Sequence, residues 1–322
     1  MVEVNEPEDV QSEARTVSVL INCYNGEKYL NDAIDSVYTQ TFKNWEIIFW
    51  DNASTDNSAE VAKRYDNKLK YFRGGNTVPL YAARNYALKK SRGRYIAILD
   101  CDDLWLPTKL EEQIPLFERD GKIGLVYSDV FVFNEKGKEK RQFEITKPYK
   151  GNVFSKLLLR NFINTQSVVI RKEAFGGMDN WFDRRLVMSG DYDAYLRVSY
   201  MWQIGYVNKP LAKYRVHTNS KSWRDGRKLL SVELDLVMEN LIKSVNEFEK
   251  NYPEELRRLK RRRDVQLSLL DWESGDKRKA RSRIRVYIHD GIVYSFFYLL
   301  MYFPYRYVFS PCHRMYTKGI IA

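Results

Sequence analysis

Three aspartates close an apolar run in the first third of the chain. They are Asp100, Asp102 and Asp103, and residues 95–99 before them read Tyr-Ile-Ala-Ile-Leu. Because positions i and i+2 of an extended chain face the same side, Asp100 and Asp102 can point together at one cation. Carboxylate oxygens are hard ligands that suit Mg²⁺ or Mn²⁺. The pattern therefore indicates a divalent cation site, with a solvated turn as its structural alternative. Asp103 is expected to cap the turn before Pro107.

Two further apolar runs end in polar side chains. Asn22, Tyr24 and Asn25 lie at the end of the first run, and Asp51 and Asn52 directly follow the second. Continuous apolar runs are typical of parallel strands that are buried on both faces, and open α/β sheets bind ligands at the carboxyl ends of such strands. The three strand ends are therefore expected to meet in one crevice.

The elements that would position these residues alternate along the chain. Predicted strands cover residues 16–22, 45–50, 69–72, 95–100 and 124–133, and predicted helices cover 29–40, 56–65, 78–91 and 107–119. Beyond them we expect a loop or irregular hairpin over 134–152, a strand over 164–171, a helix over 191–201 and a short strand over 212–217. Such alternation predicts an α/β fold with a doubly wound, mostly parallel sheet.

Composition limits the class of protein. The chain has 322 residues, of which 44% are hydrophobic and 14% aromatic, so a disordered chain is excluded. The net charge is +11, and residues 221–322 hold 21 Lys and Arg against 13 Asp and Glu, a net +8. A basic surplus in the C-terminal third suggests an anionic partner, either a phospholipid surface or a nucleic acid.

The termini bear on location. Residues 1–15 are acidic and polar, lack the apolar core of a signal peptide and are predicted to form a loose tail, so a cytoplasmic location is expected. Residues 291–305 form an uncharged aromatic stretch of 15 residues. That stretch is shorter than the ~20 apolar residues a spanning helix needs. Attachment to the cytoplasmic face of a membrane is left open.

The C-terminal region, residues 221–322, is predicted to be mainly helical, with an aromatic amphipathic segment near its end. Five cations, Arg278, Lys279, Arg281, Arg283 and Arg285, precede that segment. This arrangement suits docking on an anionic membrane surface. The alternative is a helical hairpin that packs on the rest of the protein with Tyr and Phe as its core.

Two other classes of protein are disfavoured. The arginine-rich residues 257–263 have acids nearby and lack the aromatic residues of nucleic-acid reading motifs, so no nucleic acid is expected as a partner. The first strand leads into residues 24–27, Tyr-Asn-Gly-Glu, rather than into a glycine-rich phosphate turn, which argues against a nicotinamide dehydrogenase.

The polar strand ends belong to a larger pattern. Residues 18–30, 51–56, 83–85, 99–103, 189–197 and 214–220 resemble, in order and in spacing, the family 2 glycosyltransferases of GT-A fold. The resemblance covers residues 16–220. It implies a metal-dependent, inverting transfer of a sugar from a nucleoside diphosphate sugar to a hydroxyl of a glycan or lipid-linked acceptor, in the synthesis of a cell-surface polysaccharide or glycolipid. The alternative is a membrane-surface or binding module with a degenerate nucleotide site.

The resemblance also implies residue roles on the donor side. Tyr24 would lie against the base, Asp51 would accept a hydrogen bond from it, and Asp100 would bind the ribose. Asn52 stands where many relatives carry a second acid. Arg84 would contact the nucleotide, although an arginine in mid-helix is usually an extended surface residue. The residues assigned to the nucleotide are Asn22, Tyr24, Asn25, Asp51, Asn52, Arg84 and Asp100.

On the acceptor side, Asp191 matches the family's catalytic base, and N-capping of a helix is its structural alternative. On the donor side, Asp102 and His217 match the positions that bind Mg²⁺ or Mn²⁺ beside the diphosphate, and a buried structural histidine is the alternative for His217. Gly190 stands where relatives often carry Glu before the base. Asp193 is a candidate to supply that second acid.

Overall fold

The computed structural model describes residues 17–176, 181–217 and 221–308. The chain divides into two compact units, residues 1–217 and 218–322. The predicted N-terminal tail, residues 1–15, lies outside the described residues.

The described part of the first unit forms one nine-stranded sheet. Its strands are Val17–Cys23 (β1), Trp45–Asp51 (β2), Leu69–Arg73 (β3), Tyr95–Asp100 (β4), Leu104–Trp105 (β5), Ile123–Asn134 (β6), Glu139–Arg141 (β7), Val169–Arg171 (β8) and Gln203–Val216 (β9). Its helices are Glu27–Tyr38 (α1), Ser58–Ala62 (α2), Leu80–Lys90 (α3), Lys109–Arg119 (α4), Phe154–Leu159 (α5) and Gly190–Met201 (α6).

The strand order is β3-β2-β1-β4-β8-β6-β9-β5, and β7 pairs with β6. The pairs β3 with β2, β2 with β1, β1 with β4 and β6 with β9 are parallel, while β8 is antiparallel to both its neighbours. β1 is buried along its whole length, as is the apolar part of β4. In register, Cys23 lies beside Asp51 and Asn22 beside Asp100. The three polar strand ends therefore meet at one edge, as predicted.

Two short elements, β5 and α5, were not predicted, and two predicted strands differ from the structure. The strand expected over 164–171 is wrong in its first half, where Thr165–Ser167 is a 3-10 turn whose cap, Asn164, accepts a hydrogen bond from the Gln166 amide at 3.0 Å. The short last strand is longer than expected, because β9 begins at Gln203 and runs through Pro210. Pro210 pairs with Asp129 at a register shift between β6 and β9. Proline has no backbone N–H, and at such an irregular position its absence does not interrupt the regular hydrogen bonds between the two strands. The predicted hairpin after β6 is confirmed by β7.

The second unit is helical. Its helices are Lys221–Ser244 (α7), Phe248–Asn251 (α8), Pro253–Glu273 (α9), Lys277–Arg285 (α10), Ile292–Leu300 (α11) and Tyr305–Val308 (α12). The predicted apolar stripe of α7 is buried at Leu234, Val237 and Leu241. None of the described helices combines the length and the apolar character that crossing a membrane requires.

Candidate active site

The end of β1 carries an unsatisfied polar group. Asn22 is 7% exposed, and neither its side-chain oxygen nor its nitrogen has a hydrogen-bond partner in the described structure. Buried amides in folded proteins are normally paired, so an orphaned one at a strand end is a candidate ligand contact. Tyr24, two residues on, is 53% exposed and presents an aromatic surface at the same strand end.

Asn25 joins the end of β1 to the loop after β2. Its backbone has a positive φ of 53°, its N–H donates to Ser54 Oγ at 3.1 Å, and its Oδ1 accepts from the Thr55 N–H at 2.8 Å. Asparagine tolerates this left-handed conformation better than most residues do. The side-chain oxygen of Asn25 therefore ties the end of β1 to the loop after β2, and its predicted contact with the nucleotide stays a prediction.

Asp51 and Asn52 are both held by protein partners. The fully buried Asp51 carboxylate accepts from Tyr71 Oη at 2.6 Å, Arg73 at 2.6 Å and the Ser54 N–H at 2.7 Å. Asn52 donates to the Val78 carbonyl at 2.8 Å and accepts from the Val78 N–H at 3.2 Å. An ionised carboxylate has no donor for that carbonyl, which explains an amide where relatives carry an acid. The predicted contact of Asp51 with the base and the predicted contact of Asn52 with the nucleotide stay predictions.

Asp100 is fixed from two sides. Arg84 donates to its Oδ1 at 2.6 Å, and Gln166 donates to its Oδ2 at 2.6 Å while accepting from the Asp100 N–H at 2.9 Å. Arg84 is 2% exposed, so the surface alternative for this arginine is wrong. The side chain of Asp100 is 31% exposed, which leaves part of the carboxylate open to a ligand.

The charge of Arg84 is maintained although the residue is buried. Burial alone would lower the pKa of the guanidinium, but the neighbouring Asp100 and the anionic groups around it raise that pKa above its ordinary value. The Nε of Arg84 has no hydrogen-bond partner among the described residues. Arg84 thus supplies a permanent positive charge directly behind the Asp100 carboxylate.

Asp102 and His217 come together although 115 residues separate them, with His217 Nε2 2.9 Å from Asp102 Oδ2. Burial, followed by the negative charge of Asp100, raises the pKa of Asp102, while His217 acts in the opposite direction. A carboxylate that is desolvated beside a second carboxylate is a place where a cation is favourable. This juxtaposition fits the pair that the sequence predicted for the metal.

Asp103 has a different role from the predicted turn cap. It is buried, and its Oδ1 accepts from the Arg215 N–H of β9 at 2.6 Å. Arg215 in turn donates from Nε to the Asp102 carbonyl at 2.8 Å, and its guanidinium lies 4.3 Å from the centre of the Tyr29 ring. These contacts fix the backbone of β9 two residues before His217.

Asp191 lies in the first turn of α6 and is not its N-cap residue, which is Ser189. Its Oδ1 nevertheless accepts a hydrogen bond from the Tyr192 N–H in that turn at 2.7 Å. Its Oδ2 accepts from Thr165 Oγ1, and its Oδ1 accepts from Tyr81 Oη at 3.3 Å. Thr165 and Gln166 are consecutive residues of the 3-10 turn. One turn therefore holds both Asp191 and Asp100.

The sequence did not identify Thr165, Gln166 or Tyr81 as site residues. These three residues lie outside the motifs on which the resemblance rests, and Thr165 and Gln166 fall in the segment predicted as a strand. The signal that could have identified the turn is Asn164, since asparagine accepts hydrogen bonds from the backbone two residues on and so initiates turns.

Gly190 leaves room for Tyr81. A Cβ at Gly190 would lie 2.6 Å from atoms of the Tyr81 ring, a distance that no real contact allows. Asp193 does not replace the missing acid, because its fully buried carboxylate pairs with Arg197 at 2.9 Å. The tyrosine ring therefore occupies the space beside Asp191 that a larger residue at position 190 would need.

No three His, Cys, Asp or Glu side chains among the described residues are arranged as a metal site. Asp102 and His217 supply two donors, one oxygen and one imidazole nitrogen, at adjacent positions. Mg²⁺ and similar ions at nucleotide sites are often held by one or two protein ligands, with phosphates and waters completing the shell. The residues present therefore fit a divalent ion that binds together with a diphosphate.

Comparison with known proteins gives consistent matches. The chain matches glycosyl transferase family 2 over residues 18–177. An uncharacterized glycosyltransferase of Methanocaldococcus jannaschii is 31% identical over 207 residues, which are 62% of this chain and 70% of that protein. WfgD of Escherichia coli, a UDP-Glc:alpha-D-GlcNAc-diphosphoundecaprenol beta-1,3-glucosyltransferase, is 31% identical over 64% of this chain and 79% of its own length. A Rickettsia felis glycosyltransferase is longer, and the chain spans 35% of it.

Solved structures share the fold at low identity. The mannosyltransferase PcManGT from Pyrobaculum calidifontis, solved with GDP-Man and Mn²⁺, superposes with a TM-score of 0.61 at 17% identity, over 90% of this chain and 81% of that one. S. aureus TarS 1–349 with UDP-GlcNAc gives 0.55 at 18% identity, over 83% and 88%. The predicted GT-A fold is confirmed. Because the chain also covers more than two thirds of two glycosyltransferases at 31% identity, it belongs to glycosyl transferase family 2.

Proposed function

We infer that this glycosyltransferase moves a sugar from a nucleoside diphosphate sugar to an acceptor hydroxyl with inversion at the anomeric carbon. The observation that carries the inference is the Thr165–Ser167 turn, which holds Asp191 through Thr165 and Asp100 through Gln166. The turn thereby fixes the proposed base, Asp191, relative to Asp100, the carboxylate proposed to bind the sugar donor. Catalysis of group transfer depends on such fixed relative positions.

The strand ends supply the donor site. Tyr24 offers an exposed ring for the base, and the orphaned Asn22 amide offers both a donor and an acceptor within the crevice. Asp100, oriented by Arg84 and Gln166, has acceptor capacity left for the ribose hydroxyls. Asp51 and Asn25 would complete the nucleotide site. Three hydrogen-bond donors fix the carboxylate of Asp51.

Asp102 and His217 would hold Mg²⁺ or Mn²⁺ against the diphosphate. The ion, when bound, offsets the negative charge that builds up on the departing nucleoside diphosphate. Arg215 fixes the backbone at Asp102 and in β9 next to His217 through its hydrogen bonds to the Asp102 carbonyl and to Asp103. The Mn²⁺ that accompanies GDP-Man in PcManGT supports this part of the proposal.

Asp191 would act as the base. Its carboxylate takes the proton of the acceptor hydroxyl, the hydroxyl oxygen forms a bond to the anomeric carbon, and the bond from that carbon to the diphosphate oxygen breaks with its electron pair leaving on the diphosphate. One displacement inverts the configuration, and one positioned carboxylate suffices for it. Thr165 and Tyr81 keep both oxygens of Asp191 oriented.

The acceptor is proposed by analogy with a relative. WfgD acts on a GlcNAc-diphosphoundecaprenol, so a lipid-linked glycan in the synthesis of a cell-surface polysaccharide is the acceptor we favour here. Such a reaction would take place at the cytoplasmic face of a membrane, in agreement with the location expected from the sequence.

Calorimetric titration with UDP, GDP and dTDP, each with Mn²⁺ and with EDTA, tests the proposal. We expect one nucleotide to bind in a metal-dependent manner, and its sugar conjugates would then be screened as donors. Absence of binding by all three nucleotides, with the fold intact by circular dichroism, would contradict the proposal and favour a degenerate nucleotide site.

Thr165→Val tests how the base is held. Removal of the hydroxyl leaves Asp191 Oδ2 without its partner, so we expect turnover to fall about tenfold while donor binding stays unchanged. Thr165→Ser keeps the hydroxyl and should retain most of the activity. Rates of both variants are measured at saturating concentrations of the sugar donor. A loss in Thr165→Ser as large as that in Thr165→Val would contradict the role given to the hydroxyl, because Thr165→Ser retains it.

Gly190→Ala tests the packing of Tyr81 beside the base. The new methyl group must displace the Tyr81 ring, at a cost of about 1–3 kcal/mol in unfolding free energy, and turnover should fall with it. Gly121→Ala is the matched control, because a Cβ there meets nothing within 4 Å. Thermal unfolding and initial rates of both variants give the result. Unchanged stability of Gly190→Ala would contradict the packing described here.

A further inference from the structure

Helix α11 presents an apolar surface to solvent. Ile292 is 85% exposed, Phe296 59%, Leu299 60% and Phe303 60%. Their spacing of four, three and four residues places them on one side of α11 and of the turn that follows it. We call these four residues the outer face. An exposed apolar group of this size generally marks an interaction surface.

The opposite side of α11 is already occupied within the same unit. Phe297 packs on a cluster whose buried members include Trp272, Ile284 and Met301. Trp272 also donates from Nε1 to the Phe303 carbonyl at 2.8 Å. α11 is therefore anchored by its inner side, and the outer face is not required for the core of the helical unit.

Cations surround the aromatic residues next to the outer face. The guanidinium of Arg281 lies 4.0 Å from the centre of the Tyr302 ring, and Lys277 Nζ donates to the Tyr302 carbonyl at 3.2 Å. Arg306 lies 4.8 Å from the centre of the Tyr307 ring. Positive charge beside exposed aromatic rings is the composition of surfaces that sit at a lipid headgroup layer.

Negative charge is scarce in this region and is neutralised. α10 contains six Lys and Arg residues and no acid. Asp290 is the one acid between residues 277 and 308, and it pairs with Arg257 at 2.7 Å and Arg261 at 3.2 Å. Lys279 and Arg283 of α10 pair with Asp271 of α9 at 3.2 and 2.7 Å. The other four cations of α10 leave the charge next to the outer face positive, which favours an anionic partner over a neutral one.

We propose that the outer face and the flanking cations of α10 dock this protein on an anionic phospholipid bilayer. α11 has 9 residues, about half of the ~20 that a spanning helix needs, so the helix lies in the interface rather than across it. The apolar side chains enter the acyl boundary, and Arg278 and Arg285, both exposed, reach lipid phosphates. This proposal does not depend on the proposed sugar transfer.

Vesicle co-sedimentation of the full chain tests the docking. With vesicles of phosphatidylcholine and phosphatidylglycerol at about 3:1, we expect binding that weakens when salt rises, because exposed charges are screened. Phe296→Ser with Leu299→Ser should weaken partition by about tenfold or more. Arg278→Gln with Arg285→Gln should weaken it by a similar factor. Vesicles of phosphatidylcholine alone should bind far less.

Matched controls distinguish the contribution of the outer face and the α10 cations from a general loss of exposed apolar side chains or positive charge. Val232→Ser with Ile242→Ser removes exposed apolar side chains of α7, and Lys243→Gln with Lys250→Gln removes exposed cations elsewhere in the unit. Both should sediment as the wild type does. Equal sedimentation of the outer-face variant and the wild type would overturn the proposal. So would a wild type that ignores the vesicles and forms a dimer that the outer-face variant abolishes, because the occupant would then be a second copy.

Discussion

Asp191→Asn should abolish sugar transfer while it leaves nucleotide binding intact. The amide fills the same space and can still pair with Thr165 or Tyr81, but it cannot accept the proton of the acceptor hydroxyl. We expect turnover to fall by about 1,000-fold, within the range that general-base removal causes. Transfer from the nucleotide sugar chosen by calorimetry, measured at saturating donor, gives the rate, and calorimetry of the variant gives the affinity.

The control for that variant is Asp120→Asn, which removes the same charge just before the amino end of β6. It should transfer at the wild-type rate. If Asp191→Asn turned over like the wild type, the base would be another group. If it lost donor binding as well, the carboxylate would be acting on the donor side, and the separation of donor and acceptor roles proposed here would be wrong.

Asp102→Ala should cause the largest change in donor affinity. The substitution removes one of the two donors that fit a divalent ion and leaves His217 without its partner at 2.9 Å. We expect the affinity for the nucleoside diphosphate in Mn²⁺ to fall on the order of 100-fold, since loss of a ligand exceeds the 10–100-fold cost of losing its supporting contacts. The remaining binding should be equal in Mn²⁺ and in EDTA.

Asp66→Ala is a control for charge, because this acid precedes the amino end of β3. It should bind nucleotide with an unchanged metal response. His217→Gln should lower the metal response less than Asp102→Ala does, because glutamine keeps a side-chain oxygen that can ligate an ion and alanine offers no ligand. An unchanged response to Mn²⁺ in Asp102→Ala would contradict the assignment of Asp102 as a metal ligand.

The parallel part of the sheet and the location of the crevice were predictable from local patterns. Residues 95–99 are apolar without alternation, which specifies a strand buried on both faces, and a polar residue at the end of such a strand can only lie at the sheet edge. The juxtaposition of Asn22 with Asp100 follows from parallel pairing of β1 and β4. Likewise, the Asp102 and His217 pair was expected from the resemblance and is present in the fold.

The environment of each site residue was less predictable. The local sequence offers a surface position for Arg84 as the alternative to its predicted nucleotide contact, and a turn cap as the role of Asp103. In the fold, Arg84 is buried against Asp100, and Asp103 binds the backbone of Arg215, which is 112 residues away. The assignment of Asn52 to the nucleotide likewise did not anticipate its pairing with Val78.

The sequence by itself determined the alternation of the longer strands and helices, the three polar strand ends and the spacing of Asp100 and Asp102. It could do so because burial and backbone geometry give each strand and helix a short repeat of apolar and polar residues. Only the tertiary structure decided that Thr165 and Gln166 hold Asp191 and Asp100 from one turn, and that Gly190 makes room for Tyr81. These contacts join residues 26 to 110 positions apart. The repeat of apolar and polar residues within one strand or helix does not predict these contacts. Side-chain contacts between residues so far apart in sequence depend on how the strands and helices pack against one another.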